Sequence, residues 1–150
     1  MKVTAMLCNH AEAQNNLLYV SGAGIDRSMV PPGSQGPWGV TVAVGVLIGV
    51  PWSQTNQQHK LAIVLLDADG HAIEIADSPD ATRPVRVEVE FNIGRPPELV
   101  AGEEQNISFA VNWPGLPLTA LGQYEFVVEV DGNAEAKLPY RLTMSRNLGA

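Results

Sequence analysis

The sequence predicts an all-β fold, two antiparallel sheets stacked as a sandwich of eight or nine strands, and three observations carry that reading. The first is period-two alternation. Val85, Val87, Val89 and Phe91 alternate with Arg86, Glu88 and Glu90, and Tyr124, Phe126, Val128 and Val130 alternate with Glu125, Val127 and Glu129. Only a pleated strand sends successive side chains to opposite faces. The second is the β-branched enrichment of Val40, Thr41, Val42, Val44, Val46, Ile48 and Val50, which favours strand over helix in the longest apolar run. The third is turn chemistry. Asp67-Ala68-Asp69-Gly70 and Asp131-Gly132 each separate two apolar runs, as the glycines of hairpin turns do.

In chain order the strands fall near 3–8, 17–24, 38–50, 60–67, 71–76, 84–92, 105–112, 122–130 and 137–144, with one helical turn around Ser53 to Gln57. The first ends at Cys8, the only cysteine, which reads as a small buried hydrophobe and excludes an intramolecular disulfide. Between the second and third lies Pro31-Pro32-Gly33-Ser34-Gln35-Gly36-Pro37, a loop inside the domain rather than a boundary. The long third strand has valines on one face and Thr41, Ala43, Gly45, Leu47 and Gly49 on the other. Small residues there let another segment of the chain, or another subunit, come close. Leu61 to Leu66 is apolar on both faces, as suits a central strand with a cover on its outer side. Before the eighth strand, Gly122 precedes Tyr124 by two residues, which predicts a tyrosine corner: a buried ring whose hydroxyl bonds backbone a few residues upstream. That device belongs to immunoglobulin-like sandwiches.

Length and composition bound the rest. A chain of 150 residues suits one domain, 1–150, that buries roughly 70% of its unfolded surface without disulfides. The formal charge is −7, and the nine Lys and Arg residues are scattered singly along the sequence, so nucleic acid is not an expected partner. Nor is a membrane: the run Trp38 to Val50 is too short for a spanning helix, and Met1 to Leu7 reaches Asn9, His10 and Glu12 too soon for a secretory leader. The expected compartment is the cytoplasm.

Several segments together carry a resemblance. They are Leu7-Cys8-Asn9, Leu18-Tyr19-Val20-Ser21-Gly22-Ala23-Gly24, Val50-Pro51-Trp52-Ser53-Gln54-Thr55-Asn56-Gln57-Gln58-His59, Leu66-Asp67-Ala68-Asp69-Gly70, Phe91-Asn92-Ile93-Gly94-Arg95-Pro96-Pro97, and Gly122-Gln123-Tyr124 through Val130-Asp131-Gly132. With them the chain resembles, over nearly its whole length, an uncharacterised bacterial family of single-domain proteins carrying a domain of unknown function. The resemblance implies one intact domain. It implies no mechanism.

Candidate chemistry concentrates between Pro51 and His59, the densest set of hydrogen-bonding side chains in the chain. A ligand site there would use Trp52 as a stacking surface, Thr55 and Asn56 as hydrogen-bonding groups and His59 as a group that titrates near neutrality, with Arg95 as an anion contact. The plainer alternative is that these groups bond the loop's own backbone, with Arg95 packed on a neighbouring loop carbonyl. No metal or cofactor is expected. His10, His59 and His71 are far apart in sequence, and counting from Asp67 puts Ala72 and Ser78 where a calcium loop needs glycine and glutamate. Glu88 and Glu90 share a face with Arg86, as on a solvated surface, and neither a nucleophile elbow around any serine nor a dinucleotide fingerprint at Gly22-Ala23-Gly24 is complete.

The expectation is therefore a non-enzymatic interaction or assembly module that binds itself or another protein. Two features point to a second copy: charged residues at 17%, below the usual 25% or so, and strands apolar on both faces. A small-ligand domain using the loop Trp52 to His59 is the alternative.

Overall fold

A computed structural model describes residues 1–146. The strands are β1 Lys2–Cys8, β2 His10–Gln14, β3 Leu17–Ser21, β4 Arg27–Val30, β5 Trp38–Pro51, β6 Gln58–Asp67, β7 Glu74–Ser78, β8 Ala81–Pro84, β9 Arg86–Asn92, β10 Glu104–Leu118, β11 Gly122–Val130 and β12 Asn133–Met144. A single 3-10 turn, Trp52–Gln54, is the helical piece among the described residues. The fold is all-β, as the periodicity predicts, with twelve strands among the described residues rather than eight or nine.

They form four sheets: β1-β5-β10, β4-β12-β11-β6-β9, and the hairpins β2-β3 and β7-β8. The two larger sheets close on one core. Val42, Val44, Val46, Ile48 and Val50 of β5 meet Leu61, Ile63 and Leu65 of β6, Phe126 and Val128 of β11, and Tyr140 and Leu142 of β12, all at most 1% exposed. Each such apolar side chain contributes about 1.5–3 kcal/mol on leaving water. Tyr124, Phe126, Val128 and Val130 point inward as the alternation requires. The tyrosine corner is present as well: the Tyr124 hydroxyl donates to the Ala120 carbonyl at 2.5 Å, and burial raises the phenol's pKa.

Four strands or bounds depart from the sequence reading. The expected strand 17–24 is β3 alone, paired with the unforeseen β2 through Asn15 and Asn16, both at positive φ, the geometry of a two-residue hairpin turn. The edge strand β4 was unforeseen too, because it is short and pairs in parallel with β12, more than a hundred residues away. The expected strand 71–76 does not continue the β6 hairpin; one bridge, Leu66 to Ala72, closes the turn, and the chain then forms β7 with β8. β10 runs on to Leu118 through a bulge between Trp113 and Leu116, where Pro114 and Gly115 broke the pattern.

The two unusual strands find their covers within the chain. On β5, a Cβ added at Gly45 would lie 3.1 Å from Val20 and 3.3 Å from Leu18, so the β2-β3 hairpin rests on that small-residue face. Cys8, Ala11 and Ala43 fill the seam, and the Asn112 amide bonds both the N–H and the carbonyl of Ala11, at 3.1 and 2.8 Å. On β6, the outward Ala62 and Val64 are 3% and 6% exposed because Arg86 of β9 reaches over them to Glu129 of β11, at 3.2 Å. Its apolar stem shields the strand while the ion pair stays at the surface. Neither face waits for another subunit.

Candidate functional site

The loop from Trp52 to His59 joins β5 to β6 and is held from two sides. One half is an arginine clamp. The Arg95 guanidinium lies 3.7 Å above the Trp52 ring, its Nε donates to Thr55 Oγ1 at 2.7 Å, and its Nη2 donates to the Trp52 carbonyl at 2.8 Å. The Thr55 hydroxyl donates in turn to the same carbonyl at 2.7 Å. Pro96 and Pro97 stiffen the chain that presents the arginine.

The other half is a buried histidine. His59 is the second residue of strand β6, 6% exposed, with Nδ1 2.8 Å from Asp131 Oδ2 and Nε2 2.8 Å from the Gln54 carbonyl. Its ring lies against Phe91, centroids 5.5 Å apart, and Phe91 lies against Phe109. Asp131 reaches the histidine from the Asp131-Gly132 turn between β11 and β12, where both residues have positive φ, and its second oxygen accepts the Lys60 N–H at 2.9 Å. Burial raises the Asp131 pKa, but the His59 hydrogen bond, the Lys60 N–H and the His59 charge together outweigh it and hold the carboxyl below its ordinary value.

Trp52, Thr55 and Arg95 thus converge, while His59 faces away toward Asp131. Asn56 adopts φ 57°, and its N–H donates to the Ile93 carbonyl at 2.8 Å, which ties the loop to the segment carrying Arg95. Thr55, Gln57 and His59 bond the loop's own carbonyls, while Gln54 Oε1 is buried with no hydrogen-bond partner among the described residues. In this geometry Arg95 packs on a loop carbonyl, the plainer of the two expectations, and its fork is spent on Thr55 and Trp52.

Of the other considered residues, one set lies in a turn and one on a strand surface. Asp67, Asp69 and His71 bring ligating atoms within 4.8 Å of one another. Asp67 Oδ1 already accepts the N–H groups of Asp69 and His71, both at 2.9 Å, which closes the hairpin turn. Glu88 lies on the surface between Lys60 and Arg86, at 2.7 and 2.8 Å. Among the described residues no helix is long and apolar enough to cross a membrane.

A family model described as a family of unknown function (DUF6941) matches residues 3–143. The chain belongs to that family. The match takes in all the strands except the last residue of β12 and the first of β1, so the DUF6941 unit coincides with the two-sheet core and both hairpins. A comparison with curated proteins finds no match.

One cluster in this DUF6941 domain escaped the sequence reading, which took the basic residues as single and scattered. Parallel pairing sets Arg27 of β4 opposite Arg141 of β12, and Arg146 follows the end of β12 beside them. The signal was absent because nothing local predicts a parallel partner 114 residues away.

Proposed function

We propose that this domain is a non-enzymatic, cytoplasmic interaction module with an immunoglobulin-like arrangement, and that it self-associates through the outer face of its β2-β3 hairpin. The strand order supports the arrangement. β1-β5-β10 corresponds to strands A, B and E, and β12-β11-β6-β9 to G, F, C and C′, with the tyrosine corner at the entry to F. The single buried thiol, Cys8, suits a reducing compartment.

The observation that carries the interaction reading is the hairpin's outward row. Of the seven large apolar side chains left exposed among the described residues, Leu17, Tyr19 and Val20 belong to β3, at 57%, 53% and 37%. Leu17 and Tyr19 point away from the sheet that Leu18 and Val20 cover. An amphipathic tyrosine beside a leucine, with Glu12 and Gln14 opposite, is the composition of a contact surface. A two-fold contact would bury the same row on both copies.

Sedimentation velocity at micromolar concentration tests it. A species heavier than 16.1 kDa that reverts to monomer in Leu17→Ser/Tyr19→Ser is expected; a 16.1 kDa species alone, or an oligomer indifferent to that double substitution, defeats the reading. A ligand role for the loop Trp52 to His59 finds less support, since Thr55, Gln57 and His59 are bonded to the loop's own carbonyls and the Arg95 fork is engaged by Thr55 and Trp52.

A further inference from the structure

The arginine cluster lies at the opposite surface, on the free edge of the five-stranded sheet. Arg27, Met29, Arg141, Thr143, Met144 and Arg146 line a depression of about 560 Å³, within the usual range for small-ligand sites of about 300–1,000 Å³. Three of the chain's nine Lys and Arg residues meet here, in a protein of net charge −7. The placement runs against the molecule's charge balance.

It also runs against local stability. Arg27 and Arg141 are directly paired across two strands, and like charges at such positions repel. Asp26 offsets one of them, bonding Arg27 Nε at 3.0 Å. Arg141 and Arg146 make no ion pair among the described residues. Yet the strands that carry them are firmly tied: the Tyr140 hydroxyl bonds that of Ser28, Arg141 N–H donates to the Asp26 carbonyl at 2.9 Å, and both Ser145 N–H and its hydroxyl donate to the Val30 carbonyl, each at 2.9 Å. The Arg27 fork closes on the Asp26 carboxylate through Nε and Nη2, at 3.0 and 3.4 Å, while the strand pairing sets Arg141 beside it with no carboxylate partner among the described residues.

We propose that this depression binds a small phosphate monoester with an apolar or aromatic body. Three guanidiniums less one carboxylate leave a local charge near +2, which matches the roughly −1.5 to −2 of a phosphate monoester at neutral pH. Guanidinium forks fit tetrahedral phosphate oxygens in bidentate fashion. Met29 and Met144, 65% and 37% exposed, offer an adaptable apolar wall to the rest of the ligand. This site is independent of the β2-β3 contact, so neither proposal stands or falls with the other.

Phenyl phosphate is the probe, with phenol and inorganic phosphate beside it, in thermal melts and calorimetry at low ionic strength. The full chain should be stabilised by phenyl phosphate, more weakly by inorganic phosphate and not by phenol. Arg141→Gln should weaken phenyl phosphate binding at least tenfold, and Arg141→Lys, which keeps charge but loses the fork, should weaken it less. Without ligand, Arg141→Gln should melt at the same temperature or higher, because it relieves the repulsion from Arg27; a purely structural arginine would lower it. Absence of stabilisation at about 10 mM phenyl phosphate overturns the proposal, since a ligand bound by the native state must raise its stability. So does equal stabilisation of the wild type and Arg141→Gln, and inorganic phosphate matching phenyl phosphate overturns the apolar half.

Discussion

The imidazole of His59 is clamped between the Asp131 carboxylate and the Gln54 carbonyl, 2.8 Å on either side, so that one buried ring joins the β5-β6 loop to the β11-β12 turn. These segments lie far apart in sequence, and beside the ring Asp131 and Lys60 exchange two further hydrogen bonds, each at 2.9 Å. His59→Ala should therefore cost roughly 2–4 kcal/mol, two hydrogen bonds of about 1 kcal/mol each plus the cavity left beside Phe91. Urea unfolding monitored by circular dichroism measures it. A loss under about 1 kcal/mol would show the clamp to be dispensable.

Asp131 adds a pH dependence to the same clamp. Its carboxyl titrates below the ordinary 3.8 in the folded state, so the unfolded chain takes up the proton first as pH falls. The stabilisation is complete above the ordinary value and is lost as acid reaches the depressed folded value. Asp131→Asn should flatten that acid limb. Melting temperatures across the acid range decide it; an unchanged acid limb would remove Asp131 as its source.

Arg95 and Trp52 provide a spectroscopic reading of the neighbouring clamp. Arg95→Ala removes a stacked cation and two hydrogen bonds and should cost about 1–3 kcal/mol, with a shift in tryptophan emission as Trp52 gains water. Arg95→Lys should recover little, because an ammonium cannot reach Thr55 Oγ1 and the Trp52 carbonyl in one plane while lying on the ring. Full rescue by lysine would mean that charge alone, not the fork, holds the loop.

Much of this was legible in the sequence. Alternation identified the core faces of β9 and β11, and Gly122-Gln123-Tyr124 identified the corner, because both are local signals read within a few residues. What stayed illegible depends on long-range pairing. β4 is four residues long and gains its place only from β12, and the Arg27 to Arg141 juxtaposition exists only once that pairing forms. The loop residues Trp52, Thr55, Asn56 and His59 stand out in the sequence as dense in hydrogen-bonding groups. Their partners, Arg95, Ile93 and Asp131, come from other turns, so the sequence alone favoured a self-bonded loop over a pocket without deciding between them. Asn15-Asn16 was a usable local hairpin signal that strict preference for glycine at such turns passes over.

Gly45 tests whether the hairpin cover is packed or merely adjacent. A Cβ there meets Val20 at 3.1 Å and Leu18 at 3.3 and 3.4 Å, tight contacts with side chains that have somewhere to move. Gly45→Ala should therefore be tolerated, the gain in strand preference and the crowding nearly cancelling within about 1 kcal/mol. Gly45→Val has no such escape, because two branched methyls would have to share the space with Leu18 and Val20 and lift β3 off the sheet. Hydrogen exchange is the discriminating measurement. The amides of β2 and β3 should lose protection in Gly45→Val while those of β6 and β11 keep it, since the main core lies on the other face of β5. Uniform loss of protection across both sheets would instead mean that the hairpin and the core unfold as one cooperative unit.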